Sequence, residues 1–321
     1  MVRKLHSIKP TEADSVVFDG HLISYFTRLL MLNDEFVFYL NSVFGDFDIL
    51  PFKTPFDVDD SPLILSVLSS KKVIQGLIHI SHSSDNNQIH KAFTNSRVFH
   101  DSLSGDNKNV VLIPSFVGVL DGRSFSFTEY KKRLHEMPIW FFQRKYLEDK
   151  IAYWLINLAV KCNSKCDTVE AKANLLNLCV FFEGHPAVSV LINKSLEDLN
   201  SLKWKPLHVP DHNDFWKGNV LVDSLFSNDF FLIDWGAANY KGYGVHDMVT
   251  FCMSFKVSKT HAYRYFELYA KSLNLRLVDL ISQFLLSMSY LLCNLNKFPV
   301  ERFIIKFNNE FNYLKEVLCI S

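Results

Sequence analysis

The sequence predicts an α+β protein whose strand-rich first part precedes a helical second part. Three observations carry this. Short β-rich apolar runs separated by polar turns fill residues 61–130, long amphipathic stretches follow Tyr130, and the 321 residues are 48% hydrophobic and only 21% charged. Such apolar content excludes a largely disordered chain, and the length suffices for one large or two ordinary domains with real cores. The division is expected near residue 131, giving a first part of 1–130 and a second of 131–321.

Taken in order, residues 21–44 read as one or two amphipathic helices. Leu63–Leu68 and Val73–Ile80 read as short strands joined by the polar turn Ser69-Ser70-Lys71-Lys72. A polar break follows at Ser81–Asn87. Gln88–Leu103 carries apolar residues at 89, 93, 98, 99 and 103, an imperfect helical stripe. After a second break at Ser102–Asn109, the runs Val110–Leu120 and Arg123–Tyr130 flank Asp121-Gly122, the dipeptide of a tight hairpin. Helices are then expected over Pro138–Val160, Thr168–Phe182 and Ala187–Leu202. His208–Asp234 breaks the pattern with short apolar runs. Helical texture returns at 246–256, 259–273, 275–296 and 299–317.

Charge and composition narrow the function. Lys and Arg number 34 against 34 Asp and Glu, so no net field favours nucleic acid or an anionic membrane as the main partner. The most apolar late stretch, Leu275–Asn296, is interrupted by Arg276, Asp279, Gln283 and Asn294. A membrane span needs about 20 mostly apolar residues, so this stretch reads as a buried helix. The first residues hold no apolar core of signal-peptide length. Six cysteines stand at 162, 166, 179, 252, 293 and 319. Cys162 and Cys166 are close in sequence, but no second pair or histidine cluster completes a zinc site. Free thiols in a reducing cytoplasm are therefore expected. Only 11 glycines argue against a fold built on glycine-rich loops.

The stretch Leu207–Asp247 carries the chemistry. An apolar lead-in ends at His212-Asn213-Asp214, Asn219 follows five residues after Asp214, and Val220–Val222 comes next. A polar turn (Ser224 to Asp229) separates it from a second apolar run, Phe230–Ile233, which ends at Asp234-Trp235-Gly236. If the two runs pair as an antiparallel hairpin, Asn219 and Asp234 lie side by side. An amide oxygen and a carboxylate are hard ligands suited to Mg²⁺. Asp214, on the same loop, is placed to accept a proton from an attacking hydroxyl. A base and two Mg²⁺ ligands are the minimum set for moving a phosphoryl group from a nucleotide to an alcohol.

His-x-Asp-x4-Asn, an apolar strand, a hairpin and then Ile-Asp-Trp-Gly resembles the catalytic core of the aminoglycoside phosphotransferase and choline kinase family, which shares its architecture with protein kinases. The strict match covers about 40 residues, and weaker likeness extends over most of residues 60–300. The resemblance implies a two-lobe fold: a small β-rich N-lobe over 1–130 with a hinge near 127–131, and a larger helical C-lobe over 131–321. The catalytic loop would be 211–219 and the metal-binding segment 234–236. It implies Asp214 as catalytic base, Asn219 and Asp234 as Mg²⁺ ligands, and ATP or GTP as phosphoryl donor. His212 would brace the loop, and Asp247 would support it from behind. Asn213 stands where Gly is more usual and Lys217 where Pro is common. Lys217 either reaches a phosphate or is merely solvated.

The first part departs further. The backbone around Glu129 and Tyr130, through Lys131, aligns with the hinge that contacts adenine, unless Val110–Tyr130 is an ordinary hairpin. Where the family has a glycine-rich turn this chain has Leu68-Ser69-Ser70-Lys71-Lys72-Val73. Where it has a strand Lys on the phosphates, His79 aligns; where it has a helix Glu, Asn95 does. His79 with Asn95 would be an uncharged imitation of that ion pair, or His79 is simply a strand residue. Losing one charge-assisted contact costs about 2–3 kcal/mol. Ser69 and Ser70 hydroxyls, or Lys71, Lys72 or Lys91, are left to supply the missing contacts. The acceptor implied is a small hydroxylated compound, by analogy a sugar or glycan precursor, lying against residues 137–160 and 246–290. Aromatic residues there (Trp140, Phe141, Phe142, Tyr153, Trp154) either stack on it or fill the core. The alternative is a kinase-like module, weak or inactive in catalysis, that binds and regulates. The sequence leaves the oligomeric state open.

Overall fold

The computed structural model describes residues 20–52, 62–81, 87–134, 139–224, 226–227, 229–295 and 299–319. The chain forms two compact units. One runs to His90 and resumes over Pro114–Tyr130; the other comprises Lys91–Ile113 and everything from Lys131 onward. A boundary between the units falls at 130/131, and residues 91–113 go with the helical unit rather than the sheet. The cause is long-range packing. Phe99, Leu103, Val110 and Val111 are buried in the helical unit's core, and Leu112 N–H donates to Leu232 O at 3.1 Å.

The first unit is built on an antiparallel sheet of five strands: β1 (Phe47–Pro51), β2 (Leu63–Ser69), β3 (Ile74–Ile80), β4 (Phe116–Leu120) and β5 (Arg123–Glu129), in the order β1-β2-β3-β5-β4. The helices α1 (Gly20–Met31) and α2 (Asp34–Phe44) cover it. Asn33 caps α2 by accepting from Phe36 N–H. Phe26, Leu30, Phe36 and Leu40 join Leu65, Val67, Ile78, Ile80, Phe125 and Phe127 in one apolar core. The β4–β5 turn has Asp121 at φ 48° and Gly122 at φ 73°, the left-handed pair that a two-residue hairpin demands. The strand of that hairpin starts at Phe116, not Val110, because Gly105–Val110 coils into a 3₁₀ turn. The edge strand β1 had no clear signal in the sequence. The turn Ser69–Lys72 forms as expected, and Lys72, at φ 59°, pairs with Asp48. Most of the polar break Ser81–Asn87 lies outside the described residues.

The second unit is helical around two small sheets. It holds α3 (Gln88–Ser102) from Lys91 onward, α4 (Ile139–Cys162), α5 (Thr168–Phe181), α6 (Pro186–Asn200), α7 (Val245–Ser254), α8 (Lys259–Ser272), α9 (Asp279–Cys293) and α10 (Val300–Leu318). Pro138, placed at the start of α4 by the sequence, lies outside the described residues. β6 (Lys132–Arg133), β9 (Val220–Val222) and β10 (Phe230–Leu232) form a three-stranded sheet, and β7 (Ser164–Lys165) pairs with β8 (Leu207–His208). α9 is buried from Asp279 through Ser289. It begins four residues later than its apolar pattern suggests, because Asp279 accepts from the backbone and side chain of Arg276 just ahead of it. Among the described residues no helix is long and apolar enough to cross a membrane.

Candidate active site

The site is built on the β9–β10 hairpin. Val220 pairs with Leu232 and Val222 with Phe230, and Ile233 N–H donates to Asn219 O at 3.1 Å. The ladder thus sets Asn219 beside the residue that precedes Asp234, so residues 15 apart in sequence become neighbours. Part of the Ser224–Asp229 turn lies outside the described residues. Asn219 closes the loop that leads to it. Its Nδ2 donates to Asp214 O at 2.9 Å and to Asp214 Oδ2 at 2.8 Å.

Asp234 is held in a left-handed conformation, φ 64° and ψ 57°, tolerable for Asp but unfavourable for most side chains. The next residue fixes it there. Trp235 is buried, donates its Nε1–H to Leu232 O at 3.0 Å and packs its ring on His212 and Phe99. Asn95 donates to the carbonyls of Trp235 and Ala238, at 2.8 and 3.1 Å. The Asp234 carboxyl is pushed above the usual carboxylate range, first by its packed surroundings and then by the negative Asp214; His212 and the Gly236 amide oppose this. Its residue surface is nevertheless exposed, so water damps the effect.

Behind the loop lies a buried polar framework. Asp247, in the first turn of α7, accepts from His212 N–H at 2.5 Å and Asn213 N–H at 3.0 Å. His212 donates Nε2–H to Ile233 O at 2.9 Å, since a carbonyl can only accept. This stitches the loop to the strand that presents Asp234. Asn213 sits at φ 62°, and its Nδ2 reaches Asp211 Oδ1 at 2.6 Å and Ala237 O at 3.1 Å. Asp211 is wholly buried and accepts Tyr243 N–H on Oδ2 at 2.9 Å. Burial, then the charge of Asp247, push Asp211 well above the usual carboxylate range.

Asp214, Asn219, Asp234 and His212 are therefore brought together. Lys217 is exposed, with its Nζ 5.7 Å from the centre of the Trp140 ring and its N–H on Ser254 Oγ. Asp211 and Trp235 fell inside the expected loop 211–219 and segment 234–236 without roles of their own, and Tyr243 was not singled out by sequence reasoning. A lone Asp at the end of an apolar lead-in was the only signal for Asp211. Of the α4 aromatics, Trp140 and Trp154 are core, whereas Phe141, Phe142 and Tyr153 are exposed. α7 and α9 are buried along most of their length, so most of their side chains cannot face an acceptor.

In the sheet unit, His79 is half-buried on β3, opposite Ile64 and Ser126. Glu129 is exposed at the end of β5. Within the Glu129–Lys131 segment expected to meet an adenine edge, the Tyr130 N–H donates to Gln75 O at 2.9 Å. That donor is engaged by the neighbouring strand's end, as the run Arg123–Tyr130 allows.

The donor set fits a hard dication. Asn219 turns its NH₂ toward Asp214, which leaves its Oδ1 as an acceptor. Two carboxylates close enough to repel stand beside it. An oxygen cluster with two negative charges suits Mg²⁺.

No protein-family model matches the chain, and no curated protein sequence matches it. Solved structures do. Aminoglycoside phosphotransferase APH(4)-Ia, in ternary complex with AMP-PNP and hygromycin B, is 12% identical with a TM-score of 0.47, covering 88% of this chain and 95% of its own. Choline kinase LicA of Streptococcus pneumoniae is 10% identical with a TM-score of 0.47, covering 91% and 100%. Plasmodium vivax ethanolamine kinase is 12% identical with a TM-score of 0.42, covering 94% and 92%. The functional reading rests on the side chains described above, not on these likenesses.

Proposed function

We propose that this chain is a nucleotide-dependent phosphotransferase that moves a phosphoryl group to a hydroxyl of a small molecule. The observation that carries the reading is the Asn219 amide on Asp214 with Asp234 beside them, all held by one hairpin and one braced loop. Asn219 Oδ1 and the Asp234 carboxylate would hold Mg²⁺, which supplies positive charge to a nucleotide triphosphate. Asp214, with Oδ2 engaged by Asn219, would take the acceptor's hydroxyl proton on Oδ1. The acceptor oxygen then bonds to the γ-phosphorus, the bond from that phosphorus to the β-phosphate bridge breaks, and the nucleoside diphosphate leaves. His212 and Asp247 hold the loop and do not react. Lys217 as a phosphate contact, and His79 with the Glu129–Tyr130 segment as nucleotide contacts, belong to the same proposal. The exposed Phe141, Phe142 and Tyr153, with Tyr146, are the aromatic faces of α4 that would be left for an acceptor such as a sugar.

A second reading, a module that binds nucleotide without turnover, is favoured by one observation. The β2–β3 turn has no glycine, and its Lys72 is paired with Asp48. One experiment separates the two. Saturating Mg²⁺–ATP or –GTP should raise the thermal midpoint, since a ligand at 100 times its Kd adds about 2.7 kcal/mol. A panel of hydroxylated acceptors should then show phosphorylation that Asp214→Asn abolishes while keeping the nucleotide-induced shift. A shift without turnover on any acceptor supports the module; no shift with either nucleotide at saturation defeats both.

A further inference from the structure

The strand β8 that leads into the loop ends in a second cluster, independent of the phosphotransfer reading. Cys166, Glu170 and His208 each offer one ligand atom, and these atoms lie within 4.8 Å of one another. The local fold explains why. Ser164 of β7 pairs with His208 of β8, and Cys166 N–H donates to Pro206 O at 3.2 Å. The chain then turns at Asp167, whose carboxylate caps α5 by accepting from Val169 N–H. One helical turn past Cys166, Glu170 stands on the first turn of α5 and comes back over the cluster.

The histidine supplies a second observation. His208 is only 6% exposed. Its Nδ1 has no hydrogen-bond partner among the described residues, and its Nε2 faces Glu170 Oε2 at 3.6 Å, beyond hydrogen-bond reach. Buried polar nitrogens are normally hydrogen-bonded, so a buried ring whose Nε2 has only a long ion-pair contact with Glu170 points to a ligand that engages it between the two. The spacing agrees with one. Two nitrogen or oxygen ligands at about 2.0–2.2 Å from a tetrahedral zinc stand roughly 3.3–3.6 Å apart.

We infer that Cys166, Glu170 and His208 form a Zn²⁺ site that braces the base of the loop carrying Asp214. Sulfur, imidazole nitrogen and carboxylate oxygen together select zinc over Mg²⁺ or Ca²⁺, which prefer oxygen alone. Binding replaces the thiol proton of Cys166, which leaves to solvent. The fourth position is open to water past the half-exposed Glu170. Tyr243 lies between this site and the loop. Its hydroxyl is 3.7 Å from Cys166 Sγ, and its backbone N–H donates to Asp211. The ion would thus tie the start of α5 to β8, three residues ahead of Asp211. The fold does what the cysteine spacing did not suggest: the C-x3-C pair is not the site, and Cys166 finds its partners 4 and 42 residues away.

The test uses the full chain, stripped with a chelator and titrated with Zn²⁺ and, separately, Co²⁺. One equivalent should bind, and Co²⁺ should show a thiolate charge-transfer band with tetrahedral d–d absorption. Cys166→Ser should abolish the band, and Glu170→Gln and His208→Gln should weaken affinity at least about tenfold. Cys319→Ser, at an exposed cysteine, should change nothing. Absence of a thiolate band, or stoichiometric binding indifferent to Cys166→Ser, overturns the site. Should Cys166→Ser fail to fold, the exposed Glu170→Gln decides, and unchanged affinity there refutes the assignment. None of these readouts needs nucleotide or turnover, so failure here leaves the phosphotransferase proposal untouched, and the reverse holds too.

Discussion

Asn213 shows how a side chain can stand in for glycine's freedom and add to it. At φ 62° most residues are strained by about 1–2 kcal/mol. Asn tolerates the conformation and uses its amide to tie Asp211 to Ala237. Asn213→Gly should keep the backbone and lose those bonds. Asn213→Ala loses them and adds strain, so its thermal midpoint should fall several degrees further than that of the glycine variant, at about 2–4 °C per kcal/mol. Equal midpoints would show that the φ is not enforced. Gly242 is constrained differently. A Cβ there would lie 2.0 Å from Asp211 Oδ2, a buried carboxylate with no room to move. Gly242→Ala should therefore destabilise by about 2–3 kcal/mol in a denaturant titration.

At the scale of elements, the hairpin and α7 act together. The hairpin register decides that Asn219 and Asp234 meet, and the first turn of α7 decides where the loop between them and Asp211 rests. An acidic residue in that turn also suits the helix dipole. Asp247→Asn would set an amide donor against one of two buried N–H groups. We expect a loss of about 1–3 kcal/mol, with faster hydrogen exchange at the His212 and Asn213 amides than at distant core amides. Exchange unchanged at those two positions would mean that the loop holds itself. The hairpin itself was readable from sequence because alternating short apolar runs around a polar turn admit few other structures. The resemblance already implied His212 and Asp247 as supports of the loop. The parts of Asp211, Asn213 and Tyr243 were not readable, since these residues meet only when α7 and the segment after β8 pack together.

At the scale of the whole molecule, the buried pair Asp211 and Asp247 contributes a pH trend that the lowered carboxyls of Glu310 and Asp198 oppose. Burial, and then the neighbouring Asp247 charge, raise the Asp211 pKa. Burial likewise raises Asp247, against the pull of His212 and His246. The folded chain then holds protons that the unfolded chain releases, so stability is fullest below the ordinary carboxylate value and declines as pH rises through the raised folded values. Thermal midpoints followed upward from about pH 4 should fall across that window, and the fall should be shallower in Asp211→Asn whatever its absolute stability. A pH slope identical in wild type and Asp211→Asn, or steeper in its fall in the variant, would mean that the Tyr243 and Asn213 donors outweigh burial and hold Asp211 ionised.

What the sequence by itself determined is local: the helices from α4 to α10 within a few residues, the β2–β3 and β4–β5 hairpins, and the His212-to-Asp234 spacing that brings an amide beside two carboxylates. These follow from periodicity, turn chemistry and short loops, each confined to a few neighbouring residues. The tertiary structure alone decided that 91–113 packs with the helices, that β1 edges the sheet, that Tyr130 N–H serves Gln75, and that Cys166, Glu170 and His208 converge. Each of these rests on contacts between segments far apart in the chain. Such contacts form only where burial of apolar surface holds the segments together, and no local pattern encodes which segment that will be.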